Sequence, residues 1–185
     1  MKIKKENLYI KKNSLSKEVC KQLIDRFEND ERKTPGQMAG GIDLNIKNTT
    51  DMNISTQEEW KDLDGVLYEI LSNEITSYIK STIVGDKMYF PPTMADTGYQ
   101  IQKYEKESGF YDWHIDETST QTRYIVYMWY LNDVEKGGET EFKDFKITPE
   151  CGKLVMFPST WEWPHKANVP ISDAKYIITG WIVKK

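Results

Sequence analysis

The chain has two histidines, and both sit where their type and spacing could do chemistry. His114 lies in Tyr111-Asp112-Trp113-His114-Ile115-Asp116. On an extended strand residues i and i+2 project from one face, so His114 and Asp116 can aim at one point. His165 opens a later strand-like run, and a neighbouring strand could carry it to the same point. Two imidazoles and one carboxylate can hold one face of an octahedral metal and leave the other positions open, as for non-haem Fe(II). A lone His-x-Asp arises by chance, and an exposed histidine beside an acid is its plain alternative. Lys175 adds weight. It opens the apolar run Lys175-Tyr176-Ile177-Ile178-Thr179-Gly180-Trp181, where an ammonium is costly unless an anion meets it. A dicarboxylate cosubstrate would be such an anion.

Positioning these groups is the task of the surrounding elements. A first helix is expected over about Ser14 to Asn29, with Leu15, Val19, Leu23, Ile24 and Phe27 on one face and Ser14 or Ser16 as N-cap. A second is expected from Ser55 or Thr56 to about Thr82, with a capping box at Thr56-Gln57-Glu58-Glu59. Its apolar face reads Trp60, Leu63, Leu67, Ile70, Leu71, Ile75 and Ile79. From Tyr99 the pattern changes to short strands: Tyr99–Tyr104, Gly109–Asp116, Arg123–Leu131, Thr140–Phe142, Lys153–Phe157, Pro164–Asn168 and Lys175–Val183. Runs of this kind predict a mainly β fold with flanking helices, a jelly roll or barrel-like sandwich. Residues 1–185 are read as one domain, with a helical support region over 1–85 and a jelly-roll core over 95–185. The connection Lys33–Asn53 is either a mobile lid or an edge strand at Ile42-Asp43-Leu44-Asn45-Ile46.

Several further residues recur in a fixed order. Tyr104 precedes His114-x-Asp116, and Tyr130-Leu131-Asn132 ends a strand. Gly137-Gly138-Glu139-Thr140-Glu141-Phe142 follows, then Pro149-Glu150-Cys151-Gly152-Lys153-Leu154-Val155-Met156-Phe157, His165, Lys175 and Trp181. Over roughly Tyr99 to Val183 this set resembles the Fe(II)- and 2-oxoglutarate-dependent oxygenases, specifically the prolyl 4-hydroxylase-like branch. The resemblance implies a double-stranded β-helix core in which His114, Asp116 and His165 bind Fe(II). It implies that 2-oxoglutarate chelates the metal through its keto acid end and meets Lys175 with its distal carboxylate. Tyr130 matches a position that shares this carboxylate and Tyr104 matches a pocket tyrosine, while Thr179 and Trp181 lie on the face of Lys175. O2 is the expected co-reactant and ascorbate a further small-molecule partner. Asp116, present where halogenating relatives carry a small residue, favours hydroxylation. The chain departs from many relatives in having Lys rather than Arg at position 175, which keeps the charge and loses the bidentate fork.

Composition narrows the classes. With 25 basic and 29 acidic residues the net charge is −4, against the basic surplus usual in nucleic-acid binders, so nucleic acid is not the expected partner. Aromatic residues make up 12%, which opposes disorder. Cys20 and Cys151 form no metal or disulfide pattern, and the N-terminus has no apolar signal core, so a cytoplasmic protein without a membrane span is expected. Three readings remain open: a prolyl hydroxylase of peptides or proteins, a hydroxylase of a free amino acid or other small molecule, and a metal-binding jelly-roll module without turnover. The oligomeric state is not legible.

Overall fold

A computed structural model describes residues 7–81, 90, 93–117 and 122–185. In chain order the elements are β1 (Tyr9–Lys11), α1 (Lys17–Asn29), β2 (Thr34–Pro35), β3 (Lys47–Asn48), β4 (Thr50–Asn53), a 3-10 turn (Glu58–Trp60) and α2 (Lys61–Ser81). There follow β5 (Met94–Asp96), β6 (Gln100–Tyr104), β7 (Phe110–His114), β8 (Arg123–Tyr130), β9 (Thr140–Phe142), β10 (Phe145–Ile147), β11 (Leu154–Pro158), β12 (His165–Ala167) and β13 (Lys175–Lys184). The larger sheet runs β1-β11-β8-β13-β6-β4-β2, with β5 also on β13, and the smaller runs β10-β9-β12-β7-β3. Every pairing is antiparallel, and the two sheets make the jelly roll. Among the described residues, no helix is long and apolar enough to cross a membrane.

The pleat of the larger sheet divides its residues into two cores. Ile101, Ile125, Tyr127, Trp129, Leu154, Met156 and Ile178 face the helices and pack with Leu23, Phe27, Leu63, Leu67 and Leu71. Their neighbours in sequence, Val126, Met128, Tyr130, Val155, Phe157 and Ile177, face the smaller sheet with Phe142 and Ile147. Period-two alternation therefore sends one set to the helical layer and the other to the site.

Helix α1 begins at Ser16, whose side chain accepts from Val19 N. Lys33 Nζ donates to the carbonyls of Phe27 (2.8 Å) and Glu28 (2.7 Å), partnering the last turn where the helix dipole favours a cation. Arg26 joins α1 to α2 through a two-pronged contact with Asp62 (2.7 and 2.6 Å). The capping box expected at Thr56 does not form. The chain enters α2 through the 3-10 turn behind Gln57, which makes no side-chain cap, and Thr56 Oγ1 instead accepts from Gln57 Nε2 (3.0 Å). Ser55 is engaged elsewhere, donating to Asp64 and accepting from Tyr99 N, which ties the helix start to β6. The expected helix end near Thr82 lies outside the described residues.

Over 33–53 the edge-strand alternative is not met. Ile42–Ile46 is not an edge strand but part of a turn. The Asp43 carboxylate accepts from Asn45 N (2.9 Å), and its carbonyl accepts from the amides of Ile46 and Lys47. This local capping overrides the apolar–polar alternation that suggested a strand. The strands lie on either side of the turn, with β3 on β7 and β4 on β6.

One glycine joins the helical layer to the jelly roll. Gly152 has φ +76°, and a Cβ there would lie 2.2 Å from Leu15 O, while its own carbonyl accepts from the amides of Ser14 (2.8 Å) and Leu15 (3.1 Å). Gly152→Ala combines left-handed strain with a backbone clash. The expected cost is about 1–3 kcal/mol, read as a lowered chemical-denaturation midpoint. An unchanged midpoint would show that this junction yields without cost.

Candidate metal centre and cosubstrate cavity

His114 and His165 meet because β7 and β12 pair with these two residues directly opposite each other. Their ring centroids are 4.2 Å apart. Asp116 lies two residues beyond the end of β7, so the pleat of one continuous strand does not aim it, contrary to the sequence argument. Two contacts from the larger sheet hold it instead. Trp181 Nε1 donates to Asp116 Oδ1 (2.9 Å), and Arg123 Nη1 donates to the Asp116 carbonyl (3.1 Å). One potential ligand atom from each of His114, Asp116 and His165 lies within 4.8 Å of the others.

The proton positions follow from the backbone. His114 Nδ1 is 2.7 Å from Asp112 O and His165 Nδ1 is 3.1 Å from Trp163 O. A carbonyl can only accept, so in the neutral ring each Nδ1 carries the hydrogen and each Nε2 presents a lone pair. Burial, reinforced by the neighbouring His165, pushes the His114 pKa down to about 4, so this ring is neutral near pH 7. Tyr111 stacks on His114 at 3.6 Å, and Phe142 and Phe157 flank His165.

Asp116 Oδ2 is buried, accepts no hydrogen bond and lies 3.3 Å from His165 Nε2. In the neutral tautomer two lone pairs face each other with no hydrogen between them, an arrangement a cation would relieve. The donor set of two imidazoles and one carboxylate fits Fe(II).

The centre opens on a cavity of about 650 Å³. Lys175, Thr179 and Trp181 line one wall with Tyr104 and Gln102, because alternate residues of β13 and β6 face it in register. Lys175 is 1% exposed; its Nζ donates to Gly138 O (3.0 Å) and lies 3.9 Å from the centroid of the Tyr104 ring. Among the described residues no carboxylate is within ion-pair distance of it. Burial lowers its pKa to about 7, with Glu139 acting weakly in the opposite direction. Tyr104 donates its hydroxyl to Gln102 Oε1 (3.0 Å) and Thr179 donates to Tyr127 O (3.2 Å). Tyr130 stands behind the wall: its hydroxyl donates to Thr140 Oγ1 (2.6 Å), and Thr140 is the residue that reaches the cavity.

Sequence reading missed Arg123 on the larger sheet and Thr140 and Lys47 on the smaller one among the residues that line the cavity. Arg123 opens an apolar strand just as Lys175 does, and that charge placement was the available signal. Its guanidinium stacks on Trp181 at 3.7 Å, and its buried Nε has no partner.

Comparison with known proteins agrees with this architecture. Residues 99–183 match the family model described as the 2OG-Fe(II) oxygenase superfamily. No curated protein sequence matches the chain. Among solved structures, a prolyl hydroxylase from Trichoplax adhaerens, in complex with a hypoxia inducible factor peptide fragment, is similar with TM-score 0.76 and 22% identity, covering 97% of this chain and 84% of that one. A prolyl-4-hydroxylase from Pseudomonas putida gives TM-score 0.70 and 16% identity, covering 98% and 94%. A viral collagen prolyl hydroxylase from Paramecium Bursaria Chlorella virus-1 gives TM-score 0.70 and 16% identity, covering 98% and 97%. The stretch 99–183, which carries both histidines, Asp116 and Lys175, is thus identified by its match to the 2OG-Fe(II) oxygenase superfamily, and the chain has the fold of the prolyl hydroxylases.

Proposed function

We propose that the chain is a dioxygenase that uses Fe(II), 2-oxoglutarate and O2 to hydroxylate a prolyl residue in a peptide or protein. The observation that carries this reading is the confrontation of Asp116 Oδ2 and His165 Nε2 in a cavity that also buries the Lys175 ammonium. One feature is suited to a cation and the other to a carboxylate, so together they fit a metal with a chelating dicarboxylate. The family match over residues 99–183 implies the same three reagents.

When bound, these reagents supply an oxidant that replaces a C–H bond by C–OH, while 2-oxoglutarate loses CO2 and leaves as succinate. The chain's part is to hold and to shield. His114, Asp116 and His165 would hold Fe(II), their orientation set by Asp112 O, Trp163 O and Trp181 Nε1. Lys175 would take the distal carboxylate, with Tyr104 beneath its ammonium. Thr140 accepts from Tyr130 and directs its own proton to Met128 Sδ at 4.0 Å, a weak contact that a carboxylate oxygen would outcompete. Tyr130 thus acts on the carboxylate through Thr140, and Thr179 and Trp181 shape the wall. Ascorbate would serve as reductant.

The peptide is favoured as substrate by the mouth. Ile46 and Ile115 line the cavity and are exposed, and Ile42 and Leu44 are exposed in the segment leading to Ile46, an apolar edge suited to a chain rather than to a free amino acid. Arg123 also lines the cavity and adds a cationic group to it. The relative from Trichoplax adhaerens is described with a peptide. The test supplies Fe(II), 2-oxoglutarate, O2 and ascorbate with either a proline-rich peptide or free proline. Succinate formation with a 16-dalton gain on a prolyl residue is expected with the peptide. Turnover with free proline alone would move the assignment to small molecules, and iron binding without any succinate would support the non-catalytic module.

A further inference from the structure

Beneath the mouth lies an ion pair that the proposed chemistry does not use. Lys47, on β3, and Asp51, on β4, are 2% exposed each, and Lys47 Nζ is 2.6 Å from Asp51 Oδ2. The same ammonium lies 3.4 Å from the carbonyl of Gln37, at the start of the cavity-lining stretch 37–40. It is also 5.2 Å from the centroid of the Tyr111 ring, and Lys47 and Tyr111 are register partners between β3 and β7. Tyr111 in turn stacks on His114. Gly36 completes the arrangement: a Cβ there would meet Thr49 Oγ1 at 2.1 Å, Lys47 Cε at 2.8 Å and Asp51 Oδ2 at 3.1 Å.

One ammonium therefore touches both sheets and the mouth segment. We propose that Lys47 is a positioning residue that pins residues 37–40 against Asp51 and presses Tyr111 onto His114, so that the mouth and the histidine strand are set together. Burying an ion pair is costly, and an apolar pair of similar volume commonly packs as well or better. What an apolar pair lacks is direction: it offers no donor to the Gln37 carbonyl and no cation to the face of Tyr111. Lys47 acts on the centre only through Tyr111. The inference deepens the metal reading of the triad on the His114 side and is independent of it at the mouth.

The test compares Lys47→Met, Lys47→Arg and the double change Lys47→Met with Asp51→Leu in the full chain. Lys47→Met alone leaves a buried carboxylate unpaired and can fail to fold; the double change removes both charges and keeps the question open to experiment. Two readouts are followed beside the thermal midpoint. The first is thermolysin cleavage at Ile42, Leu44 and Ile46, mapped by mass spectrometry, and the second is the visible spectrum of the Co(II)-loaded protein. The double variant should melt within a few degrees of the parent, be cut at least tenfold faster in this segment and show shifted Co(II) bands. Lys47→Arg should restore most of both readouts. Parent-like cleavage and Co(II) bands in the folded double variant would overturn the proposal. If the parent protein takes up no Co(II), the metal reading falls, and the cleavage rates alone then decide the role of Lys47 at the mouth.

Discussion

Asp116→Asn should raise the melting temperature of the metal-free protein and remove the further rise that Fe(II) produces in the parent. In the parent Asp116 Oδ1 accepts from Trp181, whereas Oδ2 is buried without a donor and faces His165 Nε2. An asparagine with its Oδ1 on Trp181 would place its NH2 group where it can donate to that nitrogen. The unmet acceptor disappears, for a gain of about 1–3 kcal/mol. In a chain of this size each kcal/mol moves the midpoint by roughly 2–4 °C. Fe(II) acts in the opposite sense. At a thousandfold excess over its dissociation constant it stabilises the parent by about 4.1 kcal/mol, and it stabilises the variant little because one of three protein ligands is gone. The two proteins should therefore exchange order when Fe(II) is added under anaerobic conditions. Succinate formation should be lost in Asp116→Asn, as in His114→Ala and His165→Ala. Scanning calorimetry with and without Fe(II) reads the exchange. An equal iron-induced shift in parent and variant would refute the role given to Asp116.

That exchange depends on a detail absent from the residue pattern. The spacing His114-x-Asp116 was legible, and so were His165, Lys175 and Trp181, because each sits at or beside a strand whose alternation is strong. How Asp116 reaches the centre was not legible, since it lies beyond β7 and is held by Trp181 and Arg123 on the other sheet. The same limit applies to β2, β3 and β4. They are two to four residues long, and the inward positions Lys47 and Asp51 are charged, so an apolar periodicity cannot reveal them. Only tertiary pairing, Asp51 beside Gln102 and Lys47 beside Tyr111, makes them strands. Tyr78 was likewise passed over for Ile75 and Ile79 on α2, although Tyr78 is the buried one, with its hydroxyl on Asn7 O. A tyrosine can bury its ring when its hydroxyl finds an acceptor, and that acceptor belongs to a distant segment. For Tyr130 and Thr140 both inward orientations could be anticipated, but which side chain stands in front is set by register between sheets.

Lys175→Met should raise the 2-oxoglutarate concentration for half-saturation at least about 30-fold while Fe(II) affinity stays near that of the parent, because removing one partner of a buried charge pair costs about 2–5 kcal/mol. Lys175→Arg should recover part of the loss through its charge, with the wider guanidinium fitting less well above Tyr104. The pH dependence distinguishes an anion-binding role from a packing role. In the free protein burial holds the Lys175 pKa near 7, since the contacts it makes are a carbonyl and a ring rather than a carboxylate. The charged form is the one that binds a carboxylate, and the fraction charged falls as pH rises above about 7. Apparent affinity should thus be level with respect to this group below pH 7 and weaken by up to tenfold per unit above it, with proton uptake on binding. The weakening should end at the higher pKa that Lys175 acquires once the anion is bound. Arginine stays protonated throughout, so Lys175→Arg should flatten the profile between pH 7 and 9. Calorimetric titration of the Fe(II)-loaded protein without O2, in buffers of different ionisation enthalpy, measures both affinity and proton count. A profile of the same slope in the parent and in Lys175→Arg would assign the pH dependence to another group, and unaltered half-saturation in Lys175→Met would leave Lys175 a packing residue.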